Sequence, residues 1–292
     1  MKPFLDLLRV KQWVKNLFLG FPLIFSGRFV ERDLWGGCGW GIAAFCLISS
    51  GMYIINDIVD LKEDRLHPQK AKRPLAAGKI TVWAASAIAA GALVLGLVIS
   101  WRLNQEFFIL AAAYILLNVL YNLRTKHVVI ADVLTVAFGF QIRILAGATA
   151  VHILPSLWLQ MCVFVLALFL GFTKRRYEIS TLKSDASAHR GVLSHYTSYL
   201  LDQIIIISST LTIVFYGLYV ISAEVTQRIG GYEMFYSMPF VIYGIFRYLY
   251  LIHVRKLGND PGDILLSDPP LLIDIILWVI FVMVVIGLSK IR

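Results

Sequence analysis

The sequence predicts an all-α, polytopic membrane protein with about nine transmembrane helices. Three observations lead there. Hydrophobic residues make up 59% of the 292 residues and charged ones 15%, against about 25% charged in a soluble domain; mean hydropathy is +0.75. Several apolar runs reach the roughly 20 residues that carry a helix across a bilayer. No ten-residue alternating pattern of a membrane β-barrel occurs, which leaves helices as the spanning element.

The candidate spans run, in order, over 16–30, 35–55, 81–101, 107–121, 130–150, 156–173, 199–221, 236–253 and 271–289. The first is short and interrupted by Pro22. The second ends in Met52-Tyr53-Ile54-Ile55 and leads straight into an acidic stretch. The fourth, also short, ends in a Tyr/Lys loop. The fifth and eighth enclose Arg143 and Arg247. The sixth runs into Lys174-Arg175-Arg176-Tyr177-Glu178. No low-complexity linker or strict repeat divides the chain, so it reads as one domain over 1–292. The basic start followed by an apolar run is like a signal peptide. It lacks a small-residue cleavage site and is read as retained.

With an internal N-terminus, most of the 27 Lys and Arg fall on the amino-terminal arm and on the loops after spans two, four, six and eight. That asymmetry follows the positive-inside rule. It places the polar clusters on the cytoplasmic side of the membrane, which we expect to be the plasma membrane. The net charge of +9 is partly this topology; the remainder suits anionic lipid or a phosphorylated substrate, and nucleic acid is excluded for a chain held mostly in lipid. Cys38, Cys46 and Cys162 sit in apolar runs, match no zinc or disulfide spacing, and read as small core residues.

The stretch Asn56-Asp57-Ile58-Val59-Asp60-Leu61-Lys62-Glu63-Asp64 carries the strongest chemical signal. On a continuous helix Asp57, Asp60 and Asp64 share one stripe. Three like charges there call for cations, and clustered carboxylates suit Mg²⁺ held jointly with substrate phosphates. The loop from His67 to Gly78 follows, with Lys70, Lys72 and Arg73 as anion ligands. Tyr121 and Lys126 offer a donor and a cation after the fourth span, against a plain role as interfacial anchors. Asp132 reads as a cap or loop-orienting group. Arg143 costs about 2.5–3.5 kcal/mol inside a membrane and so faces a partner or a ligand; a substrate phosphate is the preferred reading, an internal ion pair the other. Asp260, Asp263 and Asp268 read as turn and capping residues.

Taken together, the Asn-Asp motif after the second span, the Arg73-Pro74-Leu75-Ala76-Ala77-Gly78 loop and the Tyr/Lys loop after the fourth resemble the UbiA superfamily of intramembrane prenyltransferases. The resemblance covers essentially the whole chain. It implies a helical bundle around a central cavity with Mg²⁺-bound diphosphate at a cytoplasmic polar cap. Prenyl-diphosphate users of that superfamily carry a second Asp-rich motif near the sixth helix; here that place reads Lys174-Arg175-Arg176-Tyr177-Glu178. This is similar to the branch containing decaprenyl-phosphate phosphoribosyltransferase, as are Gln12-Trp13-Val14-Lys15-Asn16, Asp132, Arg143, Arg190, Tyr196-Thr197 and the 266–272 run. The branch implies transfer of 5-phosphoribose from phosphoribosyl diphosphate to a polyprenyl phosphate, for lipid-linked arabinose of cell-envelope polymers. In that reading Asp57, Asp60 and Asp64, assisted by Asn56, hold Mg²⁺. Lys15, Asn16, Lys70, Arg73, Tyr121, Lys126, Arg143, Lys174, Arg175 and Arg190 bind the phosphates, and Glu178 takes the ribose hydroxyls or a second Mg²⁺. Two alternatives stand beside it: an aromatic prenyltransferase of the same superfamily, and a transporter of organic phosphate or divalent cation. A homo-oligomer is left open.

Overall fold

The computed structural model describes residues 2–66, 70–182, 191–257 and 261–290. Among these, eight helices are long and apolar enough to cross a membrane, and no strand occurs. We label them α1 (Arg32–Val59), α2 (Val82–Leu103), α3 (Gln105–Leu123), α4 (Ala131–Ala150), α5 (Leu157–Leu182), α6 (Ser198–Val220), α7 (Met238–His253) and α8 (Pro269–Ser289). Side-chain caps fix several starts by satisfying otherwise orphan N–H groups. Thr81, Asn104, Thr197 and Asp268 accept from Ala84, Phe107, Leu200 and Leu271 respectively.

The first expected span, 16–30, differs from its expectation. The chain runs as a short helix Lys2–Leu7, a 3₁₀ stretch Val10–Gly20, a helical turn Phe21–Phe25 and a 3₁₀ turn Arg28–Val30. Pro22 lacks the N–H that an unbroken helix would need, and Gly27 turns the chain at φ 74°. This segment packs along α1 and α4. A Cβ on Gly147 would lie 2.0 Å from the Leu19 carbonyl oxygen, so only glycine lets the two backbones meet there.

In lipid, helices associate by close packing rather than by exclusion from water, and small residues permit it. α1 and α2 show this: Gly51 faces Leu93 and the Ala89 carbonyl, while Gly96 faces Ile48 and the Ala44 carbonyl. α3, α4, α5 and α6 pack in sequence, and α7 pairs with α8. The loops following α1, α3 and α5 meet at one end of the bundle, where Lys126 reaches Asp60 and Tyr196 reaches Ile130. The short helix Pro261–Ser267, after α7, touches the Val10–Gly20 stretch. α1 runs further than expected and carries Asn56 and Asp57 in its last turn; α5 also runs further and carries Lys174, Arg175 and Glu178 one to two turns before its end.

Candidate active site at one end of the bundle

The acidic motif is split rather than laid on one stripe. α1 ends at Val59, Asp60 sits at a break with φ −89° and ψ 14°, and a short helix Leu61–Leu66 carries Asp64. Asp60 therefore turns to Lys126, whose Nζ stands 2.6 Å from Asp60 Oδ1. Asp57 and Asp64, both buried, instead share Arg73: its Nη1 lies 3.0 Å from Asp57 Oδ1 and 2.5 Å from Asp64 Oδ2. Lys70 Nζ is 3.9 Å from Asp64 Oδ1. Arg9, which carried no sequence signal of its own, donates to Asp57 Oδ1 and lies over the Tyr53 ring. Among the described residues no three acidic, His or Cys side chains stand close enough to enclose a metal as they are arranged. The donor set nevertheless fits a hard cation. It is all oxygen, and Asp64 Oδ1 is buried without a hydrogen bond. Asn56 is partly buried beside Asp57.

A second polar group lies at the end of α5. Arg175, 5% exposed, donates from Nε to Asp132 Oδ2 at 2.7 Å and from Nη1 to Glu178 Oε2 at 2.7 Å. Asp132 also accepts from the Tyr196 hydroxyl at 2.9 Å, and that hydroxyl accepts the Ile130 N–H at 2.6 Å. Burial, with the Asp132 carboxylate beside it, holds the Tyr196 phenol above its usual range. Asp132 is thus a counter-ion to Arg175 as well as an early α4 residue. Lys174 and Tyr121 are partly buried at the ends of α5 and α3. Arg190, like Lys183 and Asp260, lies outside the described residues. Arg176 pairs with Asp202 at 2.9 Å.

Asn16 and Arg143 form a third group, deeper in the bundle. Arg143 donates to Asn16 Oδ1, the Gly139 carbonyl and the Tyr114 hydroxyl at 2.9, 2.9 and 2.8 Å. Its guanidinium lies over the Tyr114 and Phe140 rings. Asn16 donates onward to Ser49 at 3.2 Å and to Cys46 Sγ. The structure gives both residues protein partners, so it favours an internal tie over a phosphate contact. Lys15, the neighbour of Asn16, is partly buried. Asp268 caps α8 and accepts two hydrogen bonds from Arg247, which holds its carboxyl below the usual range. Two acidic groups escaped sequence reasoning, Asp202 and the buried Asp274 of α8. The second was legible as an acid within an apolar run.

The chain as a whole has matches among known proteins. Residues 21–261 match the UbiA prenyltransferase family. The chain belongs to the UbiA family. It is 31% identical over 280 residues to decaprenyl-phosphate phosphoribosyltransferase of Mycolicibacterium smegmatis, covering 93% of this chain and 88% of that one. It is 30% identical over 276 residues to the Mycobacterium tuberculosis (strain H37Rv) protein of the same name, covering 93% and 90%. A UbiA homologue from Archaeoglobus fulgidus, solved bound to GPP and Mg²⁺, superposes with a TM-score of 0.72 at 20% identity over 98% of this chain and 99% of that one. This UbiA protein is accordingly a multi-pass membrane transferase.

Proposed function

We propose that this UbiA protein transfers 5-phosphoribose from phosphoribosyl diphosphate to a polyprenyl phosphate and releases diphosphate. The active site faces the cytoplasm, and the product supplies lipid-linked arabinose for the cell envelope. The observation that carries the reading is the end of α5. Arg175 there is clasped by Asp132 and Glu178 with Lys174 beside it, and no pair of aspartates occupies the place. Two phosphoribosyltransferase relatives, each matching 93% of the chain, support it.

The chemistry is consistent with these residues. Bound at the carboxylates of Asp57, Asp60 and Asp64, Mg²⁺ would offset the charge of the leaving diphosphate. Arg73, Lys70 and Lys126 already face those carboxylates, so they are in reach of diphosphate oxygens bound there. We assign the 5-phosphate to this basic stretch of α5, with Lys174 beside Arg175. Glu178, with its side chain 24% exposed, faces the ribose hydroxyls. The acceptor phosphate is ionised at neutral pH and needs no strong general base. Attack opposite the departing diphosphate inverts the anomeric centre. The exposed apolar helix faces accommodate the polyprenyl tail.

The test uses purified protein in detergent with Mg²⁺, radiolabelled phosphoribosyl diphosphate and a polyprenyl phosphate. Label should pass into the organic phase. A prenylated aromatic acid formed from prenyl diphosphate, with no such label transfer, would replace this reading by the aromatic prenyltransferase one.

A further inference from the structure

Arg9 has no part in the assignments above, yet it pairs with the first aspartate. Asp57 is 3% exposed, and a carboxylate taken out of water needs a counter-charge. Arg73 is divided between Asp57 and Asp64. Arg9 supplies the second guanidinium, so the two buried carboxylates face two guanidinium groups, with Lys70 further off. A divalent cation entering this group alone would create a local positive excess. A cation arriving with a diphosphate would not.

The backbone around Arg9 is built to hold it there. Arg9 adopts φ 51° and ψ 49°, a left-handed conformation uncommon for a residue with a side chain. Both flanks are pinned. Leu7 is buried with Ile54, Leu75 and Ile80. The Leu8 carbonyl accepts from Ser50 Oγ at 2.7 Å, and Trp13 donates to the same hydroxyl at 3.0 Å. Strained residues of this kind persist where surrounding structure fixes them, commonly at binding sites.

We propose that Arg9 is the resident counter-ion of Asp57 and yields that carboxylate when a divalent cation arrives with a diphosphate group, moving onto a diphosphate oxygen. Arg9 thereby couples cation binding to anion binding. The inference rests on reading the carboxylates as a cation site. It makes Arg9 a further ligand for the donor and sets a condition on metal binding that the acidic motif alone does not impose.

The experiment measures Mn²⁺ binding to the full-length protein in detergent by electron paramagnetic resonance. Titrations are run with and without inorganic pyrophosphate and corrected for the Mn²⁺–pyrophosphate complex in solution. In the unaltered protein, pyrophosphate should tighten Mn²⁺ binding by about tenfold or more, a usual size for coupling between sites. Arg9→Gln should bind Mn²⁺ alone about tenfold more tightly than the unaltered protein, and the gain from pyrophosphate should largely vanish. Arg9→Lys should keep most of the coupling. Arg9→Gly removes the side chain while suiting the left-handed backbone, and it serves if Arg9→Gln fails to fold. Unchanged Mn²⁺ affinity in Arg9→Gln and Arg9→Gly, with the pyrophosphate gain intact, overturns the role of Arg9 and leaves the cation site standing. No Mn²⁺ binding by the unaltered protein, with or without pyrophosphate, overturns the cation site and this inference together.

Discussion

Asp132→Ala removes one of the two carboxylates that hold a guanidinium only 5% exposed. Deleting one partner of a buried ion pair costs about 3–5 kcal/mol, because the remaining charge is stranded. Glu178 still accepts from Arg175 at 2.7 Å, which places the loss at the lower end. The Tyr196 hydroxyl loses its acceptor as well, adding about 1 kcal/mol. The sum is roughly 4 kcal/mol. Glu178→Ala removes the other carboxylate, but that side chain is 24% exposed and Asp132 remains, so its cost is about 1 kcal/mol or less. Asp132→Asn keeps hydrogen bonding and loses the charge, and should fall between. Thermal unfolding in detergent, followed by tryptophan fluorescence and circular dichroism, ranks the three. Glu178→Ala should melt near the unaltered protein, Asp132→Asn lower and Asp132→Ala lowest. If Glu178→Ala is the more damaging, or Asp132→Ala melts unchanged, Arg175 is not held in the way its geometry indicates.

Asp60→Ala should abolish transfer while the protein still folds, since its side chain is 25% exposed beside Lys126. Asp57→Ala should abolish transfer and also lower the melting temperature, because it takes the shared carboxylate from Arg9 and Arg73. Near-normal turnover of either in excess Mg²⁺ would reject the metal reading. Lys174→Ala should raise the KM for phosphoribosyl diphosphate about ten- to hundredfold, the equivalent of roughly 1.5–3 kcal/mol for a charge-assisted contact. Binding of ribose-free diphosphate by the same variant should suffer less, and equal deficits would remove Lys174 from the 5-phosphate. Gly147→Ala places a methyl group 2.0 Å from the Leu19 carbonyl oxygen, so the amino-terminal segment must shift; a loss of about 1–3 kcal/mol is expected from such overpacking, and an unchanged melting temperature would show that the segment moves freely.

Much of the fold was legible because bilayer thickness imposes one length on every spanning element. Spans from 35–55 onward correspond to α1–α8 with modest shifts at their ends. The first span keeps its place across the bundle, from Arg9 beside Asp57 to Phe25 beside Arg228, but it is built of 3₁₀ and short helical pieces broken at Pro22 rather than of one helix, a difference that apolar content alone does not reveal. At the site, the residue types of the acidic motif and of its basic loop were readable, since chemistry dictates them. Their pairing was not. The break at Asp60 sends one carboxylate to Lys126 and leaves two with Arg73, an outcome that depends on where α3 ends. Arg9 carries no local signal, because its partner lies 48 residues away, and the pairing of Tyr196 with Asp132, 64 residues away, was not legible either. Arg143 was conspicuous as a charge in an apolar run, but its neutral partners Asn16 and Tyr114 were not foreseeable from spacing.

Those partners bear on how the chain enters the membrane. An arginine at the centre of a helix raises the cost of insertion by about 2.5–3.5 kcal/mol. Each hydrogen-bond acceptor that Arg143 uses, namely Asn16, Tyr114 and Gly139, precedes it in the sequence. Synthesis proceeds from the N-terminus, so all three have been made before Arg143 leaves the ribosome. α4 therefore meets a prepared polar lining as it arrives, and its guanidinium need not wait in lipid for a later helix. Biogenesis would suffer most from variants at Asn16 or Tyr114, which strand Arg143 at the moment of insertion even though neither residue touches the carboxylates of the active site.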